Sequence, residues 1–403
     1  MQISILLFAD DACLLSFSVI GLQRQLNILR DTSEKMGLTV NPEKSKIVVF
    51  RNGGYIAAKE KWFFGDVRLE IVNQYKYLGV IFSCSLTFSY TMEDRAAKAK
   101  KGIICILKLL WSLGEKCPKL FFKLFDCQIQ PMLTYGSEVW GLSADHTLIE
   151  RAHLFGLKRL LNVSIKTPSN LVYGETGRYP LYIQTNTRCV KYWLKITRMP
   201  EERLPVKAYK MLIALHSKNH NNWVSSVCFT LYKYGFGHVW ENQGVQDVTK
   251  FLNEFKQRLI DCFVQGWHSE ITSNDRYMFY SSLKEIPTHS PYLIQLKHWS
   301  LRKVLTRFRL GVSGLQTHRY RYSKNVSLDC PFCKHTQESE VHFMLICPMY
   351  TELREKYIHR KYRRDPSLFK LTLLLCSDKC VKDVALFLTE AFKVRSQALP
   401  SVS

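Results

Sequence analysis

Over residues 1–90 short apolar runs alternate with polar turns, whereas beyond residue 90 apolar residues recur at spacings of three and four. Ile3 to Ala9 is an apolar run of strand length. From Ile20 to Met36 the apolar positions Leu22, Leu26, Leu29 and Met36 predict a helix, closed by Gly37. Leu38 to Val40 and Ile47 to Phe50 flank the polar turn Asn41, Pro42, Glu43; Trp62 to Phe64 and Val67 to Val72 read as a hairpin joined by Gly65 and Asp66; Tyr77 to Phe82 makes a final strand. This first stretch predicts an α+β module with antiparallel pairings. Helices are predicted within Arg95 to Leu113, Leu120 to Leu133, Leu148 to Leu161, Tyr182 to Ile196 and Val248 to Phe263. Residues 201–290 carry the least readable chemistry.

Composition narrows the class. The chain has 403 residues, of which 46% are hydrophobic and 13% aromatic. That is too apolar for a disordered polybasic chain and long enough for two or three domains. No run approaches the roughly 18 apolar residues of a membrane helix. Met1 to Phe17 carries Asp10 and Asp11 inside its apolar stretch and lacks a basic leader, so it reads as a folded segment rather than a signal peptide. With 13 cysteines in no framework spacing, reduced thiols and an intracellular, cytoplasmic or nuclear setting are expected rather than secretion. The net charge of +23 is uneven: residues 1–90 and 201–290 carry +2 and +1, while 91–200 and 291–403 carry +9 and +11. A polyanion gripped at two places fits this distribution, because phosphate neutralisation releases counterions. A merely lysine-rich, solvated surface is the plainer reading.

Asp10 and Asp11 end the first apolar run. Adjacent strand residues point to opposite faces, so both acids reach one site only if the chain turns there. Close carboxylates call for a cation, usually Mg²⁺, and suit two-metal phosphoryl transfer; a simple turn after a strand is the alternative. Phe8-Ala9-Asp10-Asp11 resembles motif C of reverse transcriptases of non-LTR (LINE-type) retrotransposons. Gly37-Leu38-Thr39-Val40-Asn41-Pro42-Glu43-Lys44-Ser45-Lys46 looks like motif D, and Tyr75-Lys76-Tyr77-Leu78-Gly79-Val80 like motif E, the primer grip. Leu133 to Gly141 is similar to the segment that follows the palm in these elements. The resemblance implies a partial polymerase palm over 1–88, a helical thumb-like domain over 89–200, a helical connector over 201–310 and a basic zinc-binding region over 311–403. It further implies Asp10 and Asp11 as Mg²⁺ ligands, Lys44 at the nucleotide phosphates, Tyr77, Leu78 and Gly79 at the primer end, and an RNA template with a DNA primer as partners. The motif A aspartate and the fingers lie outside these residues, so the expectation is a truncated RNA-directed DNA polymerase, inactive alone, with Ile3 to Ala9 left as an unpaired strand. The alternative is a nucleic-acid-binding protein that keeps the thumb-like and zinc modules without catalysis.

Cys330, Cys333, His342 and Cys347 have the spacing C-x2-C-x8-H-x4-C. Two cysteines two residues apart can hold one side of a tetrahedral ion, and a later His and Cys can close it, so structural Zn²⁺ is expected. The spacing favours His342 over His335; free thiols with a chance histidine are the alternative. The set also resembles the C-terminal Cys/His motif of LINE proteins. Around it Arg307, Arg309, Arg319, Arg321, Arg360 and Arg363 are interleaved with aromatics, as in surfaces that hold phosphates and stack bases. Arg95, Lys98 and Lys101 share one face of a predicted helix, with Ile104, Leu107 and Trp111 on another. The plainer reading of each run is a solvated helix face with its aromatic residues in the core.

Overall fold

The structure, a computed structural model, describes residues 3–51, 60–113, 117–142, 145–321, 323, 325–334 and 336–398. His335 lies outside the described residues. The chain is mixed α/β, dominated by helices with small sheets, and folds as two compact units, Met1–Asp94 and Arg95–Ser403. Among the described residues no helix is long and apolar enough to cross a membrane.

In the first unit, β1 (Ile5–Phe8) and β2 (Asp11–Leu14) form an antiparallel hairpin in which Phe8 faces Asp11. Ala9 and Asp10 make the two-residue turn, with Ala9 left-handed at φ 54°. The first strand therefore has a partner, contrary to expectation: the chain folds back at the acid pair itself. The helix Val19–Lys35 follows, its first turn capped by the Ser18 hydroxyl, which accepts from Gly21 N–H at 3.0 Å. It ends before Gly37, at φ 65°, as the sequence predicts. β3 (Lys46–Ile47), β4 (Phe63–Phe64), β5 (Val67–Arg68), β6 (Glu70–Ile71), β7 (Gln74–Tyr77) and β8 (Val80–Ser83) complete the unit. β4 and β5 form the predicted Gly65-Asp66 hairpin. The Gln23 side chain fixes it to the helix by donating to the Phe63 carbonyl and accepting from the Phe63 N–H, both at 2.8 Å. Leu26, Ile47, Trp62 and Leu69 are the core here.

Two expectations for this unit change. β3 and β6 pair in parallel, so the pairing is not wholly antiparallel. The single strand expected over Tyr77 to Phe82 is instead the antiparallel hairpin of β7 and β8. Its turn residues Leu78 and Gly79 have φ values of 46° and 81°, the pair of positive values whose twist matches antiparallel strands.

The second unit is helical. On Ser89–Ser112 the residues Ala99, Ile103, Ile106 and Leu110 are buried, whereas Ile104 and Trp111 are 42% and 52% exposed. The apolar face is thus rotated from the one the sequence suggested, and only Leu107 of that trio is buried. Pro118–Leu124 runs through a π-helical turn, Phe125–Ile129, into Gln130–Leu133. Thr147–Leu161, Leu181–Thr197 and Val248–Ser273 match the remaining predicted helices, the last extending ten residues beyond Phe263. One core gathers Val190, Trp193, Leu194, Val227, Leu231 and Phe255. Another surrounds Phe343, which stacks on Phe392 at 4.8 Å and meets Phe387 edge to face at 6.3 Å.

A buried ion pair ties distant segments together. Glu175, near the end of the helix Ser169–Thr176, is fully buried, and its Oε1 lies 2.6 Å from Nε of Arg309, at the end of the helix Trp299–Arg309. Ser290 donates to Glu175 through both its hydroxyl and its N–H, and Arg309 Nη1 donates to the Leu375 carbonyl at 3.1 Å. Next to Glu175, Gly177 ends its helix at φ 64°, and a side chain there would come within 2.3 Å of the His289 backbone nitrogen. Burial alone would push the Glu175 carboxyl up, but the Arg309 charge and hydrogen bonds outweigh it and hold it below its ordinary value. Its contribution is therefore full above the ordinary carboxyl value of about 4 and is lost as pH falls from there through the lower value of the folded state. We predict that Glu175→Gln lowers the unfolding free energy at neutral pH by about 3–5 kcal/mol, because it strands a buried arginine. In denaturant titrations its deficit against the parent should shrink as the pH is taken below about 4. A variant as stable as the parent at pH 7 contradicts this.

Candidate functional site

The Cys/His cluster is assembled from two pieces of chain. An antiparallel bridge between Asp329 and Gln337 closes a loop. Within it Cys330 N–H donates to the Thr336 carbonyl at 2.8 Å, and Lys334 N–H donates back to the Cys330 carbonyl at 2.9 Å. Lys334 is left-handed at φ 55°, which curls the loop so that Cys330 and Cys333 face the same way. The other two residues stand at the ends of a π-helical turn: His342 begins it (His342–Ile346) and Cys347 caps it, its N–H donating to the His342 carbonyl at 2.8 Å. The next residue, Phe343, is the aromatic centre of the neighbouring core, so packing fixes where His342 points.

All four ligand-type atoms lie within 4.8 Å of one another. Cys330 Sγ and Cys347 Sγ are 3.8 Å apart, and Cys333 Sγ is 3.4 Å from His342 Nε2. For comparison, bonds of about 2.3 Å to sulfur at tetrahedral angles separate two sulfurs by about 3.8 Å. His342 Nδ1 sits 3.0 Å from the Thr336 hydroxyl, which leaves Nε2 aimed at the sulfurs. Burial pushes the Cys347 thiol up to about 12 and raises Cys330, and it lowers the His342 imidazole, favouring the neutral ring that metals bind. Thiols so held release their protons only to a strong cation. The cluster can therefore hold one metal ion through four protein atoms.

The acid pair has a different setting. Asp10 is at the hairpin tip and Asp11 at the first position of β2, both exposed. Lys44 is exposed in a turn whose N–H groups at Glu43 and Lys44 donate to the Asn41 side chain at 3.0 and 3.2 Å. The Tyr75 hydroxyl donates to the Lys44 carbonyl at 3.3 Å, joining this turn to β7. Tyr77 is raised above its ordinary value, first by partial burial and then by the charges of Cys13 and Asp11 on the first hairpin. Leu78 and Gly79 form the tip of the other hairpin. Among the described residues, three or more metal-ligating side chains gather only at the Cys/His cluster.

Most of the arginines selected from sequence face inward. Arg309 is half of the buried ion pair, and Arg307 donates to the Asn162 carbonyl at 3.0 Å, capping the end of Thr147–Leu161. Arg321 lies 2.8 Å from Glu340, Arg363 Nε donates to the Ile358 carbonyl at 3.0 Å, and Arg95 is buried with its guanidinium 4.5 Å from the Tyr135 ring centre. Lys98 is half-buried, and Lys101, Arg319 and Arg360 are exposed. Sequence reading missed the acids that organise these cations. Glu338 is buried and accepts from Arg395 through both carboxylate oxygens at 2.8 Å, and Glu340 joins His318 and Arg321. Glu338 and Glu340 stand in the polar run His335 to Glu340, so nothing in the sequence signals that they are buried.

No family model matches the chain, and no solved structure matches it. It is 32% identical over 105 residues to the Pol polyprotein of the type-1 retrotransposable element R2 of Bradysia coprophila, covering 24% of this chain and 12% of that protein. It is 25% identical over 169 residues to the RNA-directed DNA polymerase of the mobile element jockey of Drosophila funebris, covering 40% and 18%. A transposon-derived protein of Caenorhabditis elegans is 29% identical over 137 residues, covering 33% and 47%. The matches thus span less than half the length of these curated relatives. The chain has a distant, partial relationship to retrotransposon RNA-directed DNA polymerases.

The proximity of Tyr77 to Asp11 can be tested by titration. Asp11→Asn removes one of the negative charges that raise the Tyr77 phenol, so its midpoint should move down toward the ordinary value of about 10. Tyrosine ring NMR through alkaline pH reads the shift; an unmoved Tyr77 resonance contradicts the placement.

Proposed function

We propose that the chain corresponds to the C-terminal portion of a non-LTR retrotransposon reverse transcriptase, and that residues 1–403 by themselves hold nucleic acid without extending a primer. In this reading residues 1–88 are a partial palm, 89–200 a thumb-like domain, 201–310 a connector and 311–403 a basic zinc-bearing region. The observation that carries it is a contrast within a chain related to RNA-directed DNA polymerases. The Cys/His cluster has its four ligand-type atoms together, whereas Asp10 and Asp11 stand on an exposed hairpin tip with no third carboxylate gathered beside them among the described residues.

At the cluster, Cys330, Cys333, His342 and Cys347 would hold Zn²⁺, with the Thr336 hydroxyl fixing the His342 ring. A bound Zn²⁺ with four protein ligands supplies a cross-link rather than a reactive centre. At the hairpin tip, Asp10 and Asp11 would supply ligands for Mg²⁺ in the complete polymerase, with Lys44 facing the nucleotide phosphates and Tyr77, Leu78 and Gly79 facing the primer end. Two-metal transfer needs both ions clamped, and two acids on an exposed tip are a poor clamp by themselves. The exposed cations Lys101, Arg319 and Arg360 would contact phosphates.

Metal analysis of the purified protein should find one equivalent of zinc, lost on Cys333→Ser. Thr336→Val should weaken zinc binding about 10- to 100-fold in chelator competition, because it frees the histidine ring. Metal-free parent protein overturns the zinc assignment. On an RNA template with a DNA primer, the parent should bind with strong salt dependence and incorporate no nucleotide. Primer extension that disappears on Asp10→Ala would falsify the reading of an incomplete catalytic site.

A further inference from the structure

The helical unit contains a cleft of about 1220 Å³, larger than the roughly 300–1,000 Å³ of ordinary small-molecule pockets. It lies among the helices Thr147–Leu161, Leu181–Thr197 and Trp223–Lys233, and only the last of these falls in the stretch 201–290 that sequence left least readable. We propose that this cleft binds an unpaired stretch of polynucleotide, with Arg151 and Lys233 on its phosphates and Phe229 stacking against a base.

The charge of the lining supports an anion. Arg151 and Lys233 are both exposed. Lys233 Nζ lies 5.4 Å over the Tyr234 ring, and neither cation forms an ion pair with a carboxylate among the described residues. Glu150 is the one carboxylate in the lining, and it is turned to the protein. Its Oε1 accepts from the Tyr173 hydroxyl at 2.5 Å and lies 2.9 Å from His153 Nδ1, and its Oε2 accepts from the Leu181 N–H at 2.7 Å. Asp145, outside the lining but close enough to feel Arg151, accepts from the Thr147 N–H at 2.9 Å. Thr147, Pro180 and Asn222, at the starts of the three helices, border the cleft, but Asp145, Glu150 and the Asn222 side chain already cap those helix ends, so the two cations carry the attraction for an anion.

The rest of the lining separates a polynucleotide from a simple anion. Phe229 is 68% exposed on the helix Trp223–Lys233 at the cleft, where its ring presents a stacking face. Tyr182 and Tyr234 line the cleft half-buried, and the exposed side-chain amide of Asn221 supplies a neutral donor and acceptor suited to base edges, whereas the amide nitrogen of Asn186 is held by the Gly141 and Tyr182 carbonyls. Phosphate cations, a free aromatic face and a neutral amide in one open groove make the combination that single strands use. Choosing a polynucleotide over another polyanion rests on the nucleic-acid reading proposed above.

The test uses the full chain and fluorescent oligonucleotides of about 12 residues: single-stranded RNA, single-stranded DNA of the same sequence, and the RNA duplex. The double variant Arg151→Gln, Lys233→Gln should weaken single-strand binding about tenfold and flatten the salt slope by about 1.4, at roughly 0.7 per lost phosphate contact. Phe229→Ala should weaken it at least about fivefold, in keeping with the loss of one stacked base. Neither should alter duplex affinity or the melting temperature, since all three side chains are exposed. The RNA and DNA arms tell which strand is preferred. As a second readout, photo-crosslinking of a thiouridine-labelled strand should label the peptide that contains Phe229 and Lys233. If the parent binds single strands and both variants bind them equally well, the cleft is overturned while the nucleic-acid reading stands. A parent that binds no nucleic acid overturns both.

Discussion

The helical unit depends on one buried charge pair. Glu175 and Arg309 sit at the ends of two helices, and between them they also hold Ser290 and the carbonyl of Leu375. An isolated charge at that depth would cost several kcal/mol, and the pair is tolerable only because nearly every polar atom of both groups has a partner. That requirement fixes geometry more tightly than apolar packing does. A leucine can re-pack, but a guanidinium that must reach one carboxylate and one carbonyl has a single workable position. Gly177 shows how little room is left: a methyl group there would strike the backbone of His289. Ser169, on the helix that carries Glu175, also lines the cleft, and Phe308, next to Arg309, meets the ring of Phe343 beside His342.

The same principle explains which parts of the molecule were legible in sequence. Helices such as Leu181–Thr197 were readable because burial of one face imposes a period of three and four. Gly37 and the Gly65-Asp66 turn were readable because they need backbone angles that few residues adopt. The β7 and β8 hairpin was not, since Leu78 is an improbable residue at a positive φ and hides its own turn. The short parallel pairing of β3 with β6 joins segments with no local signal linking them. At the cluster, spacing in the chain carried over to proximity in space because the intervening loop is short and closed by its own backbone hydrogen bonds. The arginines behaved differently. A basic residue among aromatics looks the same in sequence whether it meets a phosphate or a glutamate, and Arg309 and Arg321 met glutamates.

That sorting of cations changes how the charge of +23 is understood. Arg309, Arg321 and Arg395 are matched by Glu175, Glu340 and Glu338, so their charge is neutralised inside the fold. What remains for a polyanion is carried by residues such as Lys101, Arg151, Lys233, Arg319 and Arg360, two of them in blocks or positions that sequence had not singled out. A net charge counts ionised groups, whereas affinity for a polyanion depends on the groups that solvent can reach.

The Glu175 to Arg309 pairing spans 134 positions in the chain. A ribosome adding about 5–20 residues per second takes roughly 7–27 s to cover that distance. Throughout that interval the helix carrying Glu175 has left the synthesis site while its partner has not yet been made. The helix of the buried Leu171 and Val172 can already lean on Thr147–Leu161, where Tyr173 bonds to Glu150, but its link to the later helices through Arg309 must wait. Assembly of this unit is thus paced by translation, and any nascent fragment ending before Arg309 holds a glutamate whose counter-charge does not yet exist.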